Sequence, residues 1–151
     1  MSKILYITDP CYILTKETWS EVVNNHNCDS DICKAFEKEL EKISGAKAYV
    51  SRTGFGDWMN EIYSEDPSKI INPRFCADSG LVCVCEVNEV SEECLKQYTT
   101  TAHMCAKVEV SDNYTVELDH SDPSWTVVII KDENNKINSS ISYEDDDEED
   151  F

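Results

Sequence analysis

The chain has 151 residues, of which 40% are hydrophobic, and 31 acidic residues against 13 basic ones give it a formal net charge of −18. A surface of this sign repels nucleic acid and anionic membranes, which are both bound through lysine and arginine, so we expect it to bind neither directly. It favours basic partners and speeds association with them. The alternative is that the acidity only keeps the protein soluble. No run of about 18 apolar residues occurs, so no membrane span is predicted.

The first third of the chain predicts one strand followed by two helices. "KILYIT" (3–8) reads as a strand, and "TKETWSEVVNNH" (15–26) reads as a helix. The most regular helical pattern covers 29–45 and ends at Gly45. Its apolar residues fall on one face of a helix: Ile32, Phe36, Leu40 and Ile43. Charged residues such as Glu37 and Glu41 are expected on the opposite, solvated side of the same helix.

The middle of the chain predicts a hairpin, a buried strand and a short helix. Residues 46–53 and 57–63 read as two strands around the turn "GFG", so 46–63 is expected to form a hairpin. "SGLVCVCEV" (79–87) is apolar at nearly every position, which indicates a strand covered on both faces. "VSEECLKQYTT" (90–100) reads as a short helix that begins at a serine cap.

The last third of the chain predicts strands alone. They cover 103–110, 114–120, 125–132 and 136–144, and the separators "SDN", "SDPS" and "ENN" are typical of turns, which indicates an antiparallel meander. Because the helices come early and the strands late, the fold class is α+β. We expect one domain over 1–143, in which two N-terminal helices and one short central helix pack on a mostly antiparallel sheet. An acidic mobile tail over 144–151 follows it.

The eight cysteines are expected to be reduced thiols, most of them buried. The N-terminus lacks the apolar run and cleavage site of a signal peptide, which predicts a cytoplasmic protein, and thiols stay reduced in the cytosol. The C-x2-C and H-x3-H spacings of structural zinc sites do not occur. The sequence therefore predicts neither a metal site nor a cofactor.

Three short segments place an aspartate beside a glycine or proline at the end or start of a predicted strand: "TDPCY" (8–12), "GFGD" (54–57) and "DSG" (78–80). Strand ends of a small domain can converge on one rim, so the candidate cluster consists of Asp9, Cys11, Tyr12, Gly54, Gly56, Asp57, Asp78 and Gly80.

Two interpretations of this cluster stay open. Its carboxylates could bind a ligand or a hard cation through oxygen, and Cys11 could act as a nucleophile if a neighbouring group lowered its pKa. Alternatively the residues only shape turns, with the carboxylate of Asp9 accepting nearby backbone N–H groups. The sequence assigns no catalytic residue.

The ordered segments "YITDPCYIL", "SRTGFGDW" and "CADSGLVCV" resemble a group of small uncharacterised bacterial and phage proteins. Those proteins carry an N-terminal strand followed by Asp-Pro-Cys-Tyr, a Gly-Asp-Gly-like turn in mid-chain and an Asp-x-Gly entry into a hydrophobic strand. The resemblance covers about residues 3–87, and the chain departs from it at Trp58, where glycine is usual, and in its acidic end. It implies a cytosolic protein of bacterial or phage origin.

Three hypotheses for the function follow. The first is an acidic binding or inhibitory protein of phage or mobile-element type, which occupies a basic, nucleic-acid-binding surface of a host defence protein as an anti-CRISPR-like mimic of nucleic acid. Its predicted partner-binding residues include the C-terminal acids Glu144, Asp145, Asp146, Asp147, Glu148, Glu149 and Asp150.

The second hypothesis is a small ligand- or metal-dependent enzyme that uses Asp9, Cys11, Asp57 and Asp78. The third is a structural phage protein. The oligomeric state is left open by the sequence.

Overall fold

The computed structural model describes residues 2–26, 31–52, 58–77, 79–95, 105–119, 126–133 and 135–141. Within these ranges the helices are α1 (Lys16–His26), α2 (Ile32–Ser44) and the short α3 (Glu89–Leu95), with 3-10 helices at Pro10–Tyr12 and Pro67–Lys69. The strands of the same ranges are β1 (Ser2–Thr8), β2 (Tyr49–Arg52), β3 (Trp58–Ser64), β4 (Ile70–Asn72), β5 (Arg74–Ala77), β6 (Leu81–Glu86), β7 (Ala106–Ser111), β8 (Thr115–Asp119), β9 (Val127–Asp132) and β10 (Asn135–Ile141).

The strands form two antiparallel five-stranded sheets. The first sheet has the order β2-β6-β1-β7-β4, and the second has the order β5-β3-β10-β9-β8. Only Pro73 separates β4 from β5, so the chain passes there from the edge of the first sheet to the edge of the second. The carbonyl of Pro73 accepts a hydrogen bond of 2.8 Å from the backbone N–H of Ile62. This segment therefore joins the two sheets at one corner.

The first sheet is the middle layer of three. Leu5 and Ile7 of β1 lie in the core between the two sheets, and Tyr6 lies in the core beneath α1 and α2. This alternation is the two-residue period of a strand. Every residue from Leu81 to Cys85 of β6 is buried, which confirms the prediction of a strand covered on both faces.

The predicted fold class is wrong. Strands account for more of the described chain than helices, and they form two sheets rather than one sheet that carries three helices. The predicted hairpin over 46–63 does not form, because β2 pairs with β6 of the first sheet whereas β3 pairs with β5 and β10 of the second. The predicted four-stranded meander is also wrong in part, since β7 joins β1 and leaves only β8, β9 and β10 consecutive.

The physical reason for these errors is that local patterns report strand character and not strand partners. Two strands, β4 and β5, contain three and four residues around a proline, too short for alternation to be visible. If β4 and β5 are not recognised in the sequence, each sheet lacks one of its edge strands, and the remaining strands suggest a single sheet.

The helix with the strongest sequence pattern, α2, forms as predicted. Its buried residues Ile32, Phe36 and Leu40 lie in the core beneath the helices. Gly45 ends it with φ of +76°, a left-handed conformation that favours glycine, and the Gly45 N–H donates to the carbonyl of Glu41 at 2.8 Å. The Trp19 ring of α1 stacks on Phe36, with 4.7 Å between the ring centroids.

The prediction that Glu37 and Glu41 lie on the solvated face of α2 is wrong. Both carboxylates instead bond to the edge strand β2 or to the residue just before it. The carboxylate of Glu37 accepts from the N–H of Val50 at 2.9 Å, and that of Glu41 accepts from the N–H of Ala48 at 3.2 Å. An edge strand exposes backbone groups that invite pairing with another chain. These two carboxylates therefore both attach α2 to the first sheet and close part of its edge.

We expect Glu37→Ala to lower the free energy of unfolding by about 1–2 kcal/mol, because it removes a charge-assisted hydrogen bond to a buried N–H. The matched control is Glu39→Ala on the same helix, which removes a surface ion pair with Lys42 (3.2 Å) and should cost less than about 0.5 kcal/mol. Urea denaturation followed by circular dichroism measures both. Equal losses in the two variants would contradict a structural role for Glu37.

Candidate functional site

The candidate cluster centres on the carboxylate of Asp9, which is fully buried where β1 ends. It accepts hydrogen bonds from the backbone N–H of Cys11 (3.0 Å) and from the backbone N–H of Ser79 (2.6 Å). The hydroxyl of Ser79 donates to the same carboxylate, at 2.8 Å from either oxygen. Asp9 thus connects the end of β1 to the residues that enter β6.

The local sequence explains why the chain turns here. Asp9 is the N-cap of the 3-10 helix Pro10–Tyr12, where proline supplies the helical φ and lacks the N–H that would otherwise need a partner. The N–H of Tyr12 donates to the carbonyl of Asp9 at 3.0 Å. Ile13 and Leu14, both fully buried, then anchor the turn in the core beneath the helices.

A second Asp-Pro dipeptide in the chain forms the same turn on the surface. Asp66 caps the 3-10 helix Pro67–Lys69 and accepts from the N–H (3.2 Å) and the hydroxyl (2.6 Å) of Ser68. These bonds lower the pKa of Asp66, which is exposed. Asp9 and Asp66 therefore cap the same kind of turn, and burial and the bonds from Ser79 distinguish Asp9.

The structure brings part of the predicted cluster together. Cys11 and Tyr12 lie in the Asp9 turn, and Gly80, with φ of +82°, follows the Ser79 that Asp9 binds. The remaining predicted members lie outside the described residues: Gly54, Gly56, Asp57 and Asp78. Their approach to Asp9 stays a prediction.

The geometry indicates that Asp9 stabilises two turns by accepting their hydrogen bonds. Its carboxylate is inaccessible to solvent and accepts three donors, so it faces no space where a substrate or a water could react. Within the described ranges, no group of three His, Cys, Asp or Glu side chains could hold a metal ion. The predicted partner-binding acids 144–150 lie outside the described residues.

The described cysteines are all free thiols, and three of the six are buried: Cys83, Cys85 and Cys105. Burial raises the pKa of Cys83 well above its usual value, and a hydrogen bond with Cys85 and the charge of Asp9 raise it further. Burial also raises the pKa of Cys105, to about 11. Cys83 and Cys105 are therefore protonated at neutral pH and are not activated nucleophiles. Cys28 and the side chain of Cys94 lie outside the described part of the chain.

Charge is distributed unevenly along the chain, a signal that sequence reasoning missed. Residues 1–57 contain nine acidic and seven basic residues, a formal charge of −2, whereas residues 58–151 contain 22 acidic and six basic residues, a formal charge of −16. The first part includes α1 and α2, and the second includes α3 and the whole second sheet. The segments that form α1 and α2 are therefore nearly neutral, and most of the acidity belongs to the part of the chain after residue 57, including Glu89, Glu92 and Glu93 of α3, which contacts α2.

Six acidic residues lie at the end of the sandwich opposite Asp9, where β1 begins and β6, β7 and β9 end, and Lys3 and Lys69 lie beside them. We call this surface the acidic end, and its members are Glu65, Asp66, Glu86, Asp112, Asp132 and Glu133. Contacts hold the strand ends together there: the N–H of Ser111 donates to Asp132 (3.0 Å), and Lys3 pairs with Glu86 (3.4 Å). Partial burial opposes ionisation of Asp132, but its hydrogen bonds from Ser111 prevail and lower its pKa.

In comparisons with known proteins, no family model matches the chain, and neither a curated protein nor a solved structure matches it. No helix among the described residues is both long enough and apolar enough to cross a membrane.

We expect Asp9→Ala to lower the free energy of unfolding by about 2–4 kcal/mol, because it leaves buried donors without their acceptor. This is more than the roughly 0.5–2 kcal/mol of an ordinary N-cap. Asp66→Ala is the matched control, since it removes the same kind of cap at an exposed turn and should cost far less. Chemical denaturation measures both, and equal losses in the two variants would contradict the anchoring role of Asp9.

We expect Cys83 and Cys105 of the native protein to resist alkylation by iodoacetamide at neutral pH, because both are buried and protonated. The half-buried Cys11 and Cys76 should react sooner. In denaturant all eight cysteines should react, which mass spectrometry of peptides records. Rapid native modification of Cys83 would be the contrary result.

Proposed function

We propose that the protein is an acidic binding protein of phage or mobile-element type. It acts in the bacterial cytosol and occupies a basic, nucleic-acid-binding surface of a host defence protein. The observation that carries this proposal is the uneven charge of the chain: residues 1–57, which include α1 and α2, carry −2, and residues 58–151 carry −16. A charged side directs a protein towards a partner of opposite sign in one orientation.

The acidic end suits this role because its carboxylates stand on turns at strand ends. Glu65, Asp112 and Glu133 are exposed there, so they can approach lysine and arginine side chains of a partner. Carboxylates on separate turns can occupy positions that phosphates take in a basic groove, since arginine binds both groups through the same paired N–H donors.

The closed geometry of Asp9 favours this proposal over an enzyme. Catalysis by a carboxylate requires the group to come within hydrogen-bond reach of a substrate. The carboxylate of Asp9 is fully buried and bonded to Cys11 and Ser79 instead. The resemblance of residues 3–87 to small bacterial and phage proteins supports the biological context.

The first experiment captures the partner from a bacterial lysate on the tagged full-length chain and identifies it by mass spectrometry. Binding of the purified partner is then measured at low and high salt, with and without competing DNA or RNA. We expect salt to weaken binding, because the Debye length falls from about 10 Å at 0.1 M to about 3 Å at 1 M, and we expect nucleic acid to compete. Binding that neither salt nor nucleic acid weakens would contradict this proposal and would leave solubility as the role of the acidity.

Charge variants test which side of the molecule binds. The triple variant Glu65→Gln/Asp112→Asn/Glu133→Gln removes three exposed charges of the acidic end. We expect it to slow association roughly tenfold, because electrostatic steering contributes to the rate. The matched control Glu17→Gln/Glu21→Gln/Glu39→Gln removes three charges from the helical layer and should change the rate far less.

Deletion of 144–151 removes seven acidic residues and should slow association modestly, since the folded surface remains. Stopped-flow or surface-based kinetics records each rate. Equal slowing by the two triple variants would contradict a partner site on the acidic side.

A further inference from the structure

Within the described part of the chain, the two sheets have four edge strands: β2 and β4 in the first sheet, and β5 and β8 in the second. The edge at β2 is closed in part by Glu37 and Glu41, whose carboxylates accept from the backbone N–H groups of Val50 and Ala48. The edges at β4 and β5 have three and four residues, and only Pro73 separates them. Short strands and proline are common means by which proteins protect a sheet edge from further pairing.

The edge at β8 lacks these protections, and its five residues are the most of the four edge strands. On one side β8 pairs with β9. On the other side, no strand and no side chain of the described ranges bonds to the backbone of residues 115–118. Alternate residues of an antiparallel strand direct their N–H and C=O groups to opposite sides, so part of this backbone faces away from β9. Such groups can pair with an additional strand, which is a recurring mode of peptide recognition.

The side chains of β8 indicate the composition of a strand that fits this edge. Val116 and Leu118 pack against the core between the sheets but are only half-buried, whereas Ile130 and Val128, opposite them on β9, are 0% and 1% exposed. Apolar surface is therefore left at the edge, and aliphatic side chains of an added strand would cover it. Glu117 is exposed on the other face of β8, so the residues beside it in the added strand should be basic.

Charge decides between a second copy of this chain and a different protein. Glu117 is the central residue of β8, so antiparallel pairing of two copies about that centre places two glutamates directly opposite each other. Like charges in this arrangement destabilise a strand pair, and each copy carries a formal net charge of −18. A basic strand gains a pairing of opposite charges instead. The turn that precedes β8 also carries the exposed Asp112 of the acidic end, so a basic partner meets acidic groups on both elements.

We propose that the edge of β8 is where the basic partner docks, by adding an extended segment of alternating aliphatic and basic residues to the second sheet. This inference rests on the proposed function for the existence of that partner, and it specifies how the partner binds. Main-chain hydrogen bonds along β8 give affinity, and the alternating side chains give specificity. The exposed Glu117 opposes pairing between copies of the chain and favours a basic segment.

Nuclear magnetic resonance of the ¹⁵N-labelled full-length protein tests this edge with three peptides that have blocked ends. The first is Lys-Val-Lys-Val-Lys-Val-Lys, the second replaces its central valine by proline, and the third replaces every lysine by glutamate. We expect the first to shift the amide signals of residues 115–119 saturably. The proline peptide keeps the charge but loses the central strand pairing, so it should bind at least about tenfold more weakly, and the glutamate peptide should bind weakest.

Glu117→Lys should reverse the preference between the lysine and glutamate peptides, because the charge at the edge changes sign. The matched control Glu65→Lys makes the same charge change at an exposed turn of the acidic end and should not reverse the preference. Equal affinity of the valine and proline peptides, or shifts that do not include β8, would overturn strand addition. Shifts of residues 115–119 that depend on protein concentration without peptide would assign the edge to a second copy and overturn a basic occupant.

The captured partner separates this inference from the proposed function. If salt and nucleic acid weaken binding of the partner but Glu117→Lys does not, the docking edge at β8 is wrong and the proposed function stands. The peptide series uses the purified wild-type chain, so it decides the question even if a variant fails to fold or no partner is captured.

Discussion

The buried carboxylate of Asp9 is the interaction on which the rest of the structure depends. A carboxylate without solvent is stable only when its oxygens accept enough hydrogen bonds, and here the donors come from Cys11 and Ser79. Because these residues follow β1 and precede β6, the interaction places two adjacent strands of the first sheet relative to each other. Both α1 and α2 on one side and the second sheet on the other pack against these strands.

The three-layer arrangement follows from the composition of β1 and β6. Tyr6 and Cys83 contribute to the core beneath the helices, and Ile7 and Val84 contribute to the core between the sheets. A strand that is apolar on both faces needs a cover on both sides. The helices supply one cover, and the chain forms the other by crossing at Pro73 into a second sheet.

Sequence reasoning succeeded where the signal was local. The spacing of Ile32, Phe36 and Leu40 and the glycine at position 45 were sufficient for α2, as was the continuous apolar run for β6. It failed where the outcome depends on distant partners, since nothing in a strand such as β3 states that it pairs with β10 rather than β2. The site shows the same limit: the sequence placed the segment "DSG" (78–80) near the Asp9 turn, but it named Asp78 and Gly80 and not Ser79, the residue that donates to the Asp9 carboxylate.

Acidic residues have two different roles in this molecule, and burial separates them. Asp9, buried and bonded, holds strands together, and Glu37 attaches α2 to an edge strand. The exposed acids Glu65, Asp112 and Glu133 stand on turns at the acidic end instead, and we propose that they face a basic partner. The uneven charge along the sequence was visible in the residues themselves, but only the strand pairing shows which of these acids meet at one end of the molecule.

Hydrogen–deuterium exchange of the full-length protein, alone and with its captured partner, tests this account most directly. Amides around Cys11 and Ser79 should exchange slowly in both states, because the Asp9 anchor is structural. The partner should slow exchange at the acidic end, over 64–69, 109–117 and 131–136, and leave α1 and α2 unchanged. Protection confined to α1 and α2, or protection around Ser79 that appears only with the partner, would contradict the account.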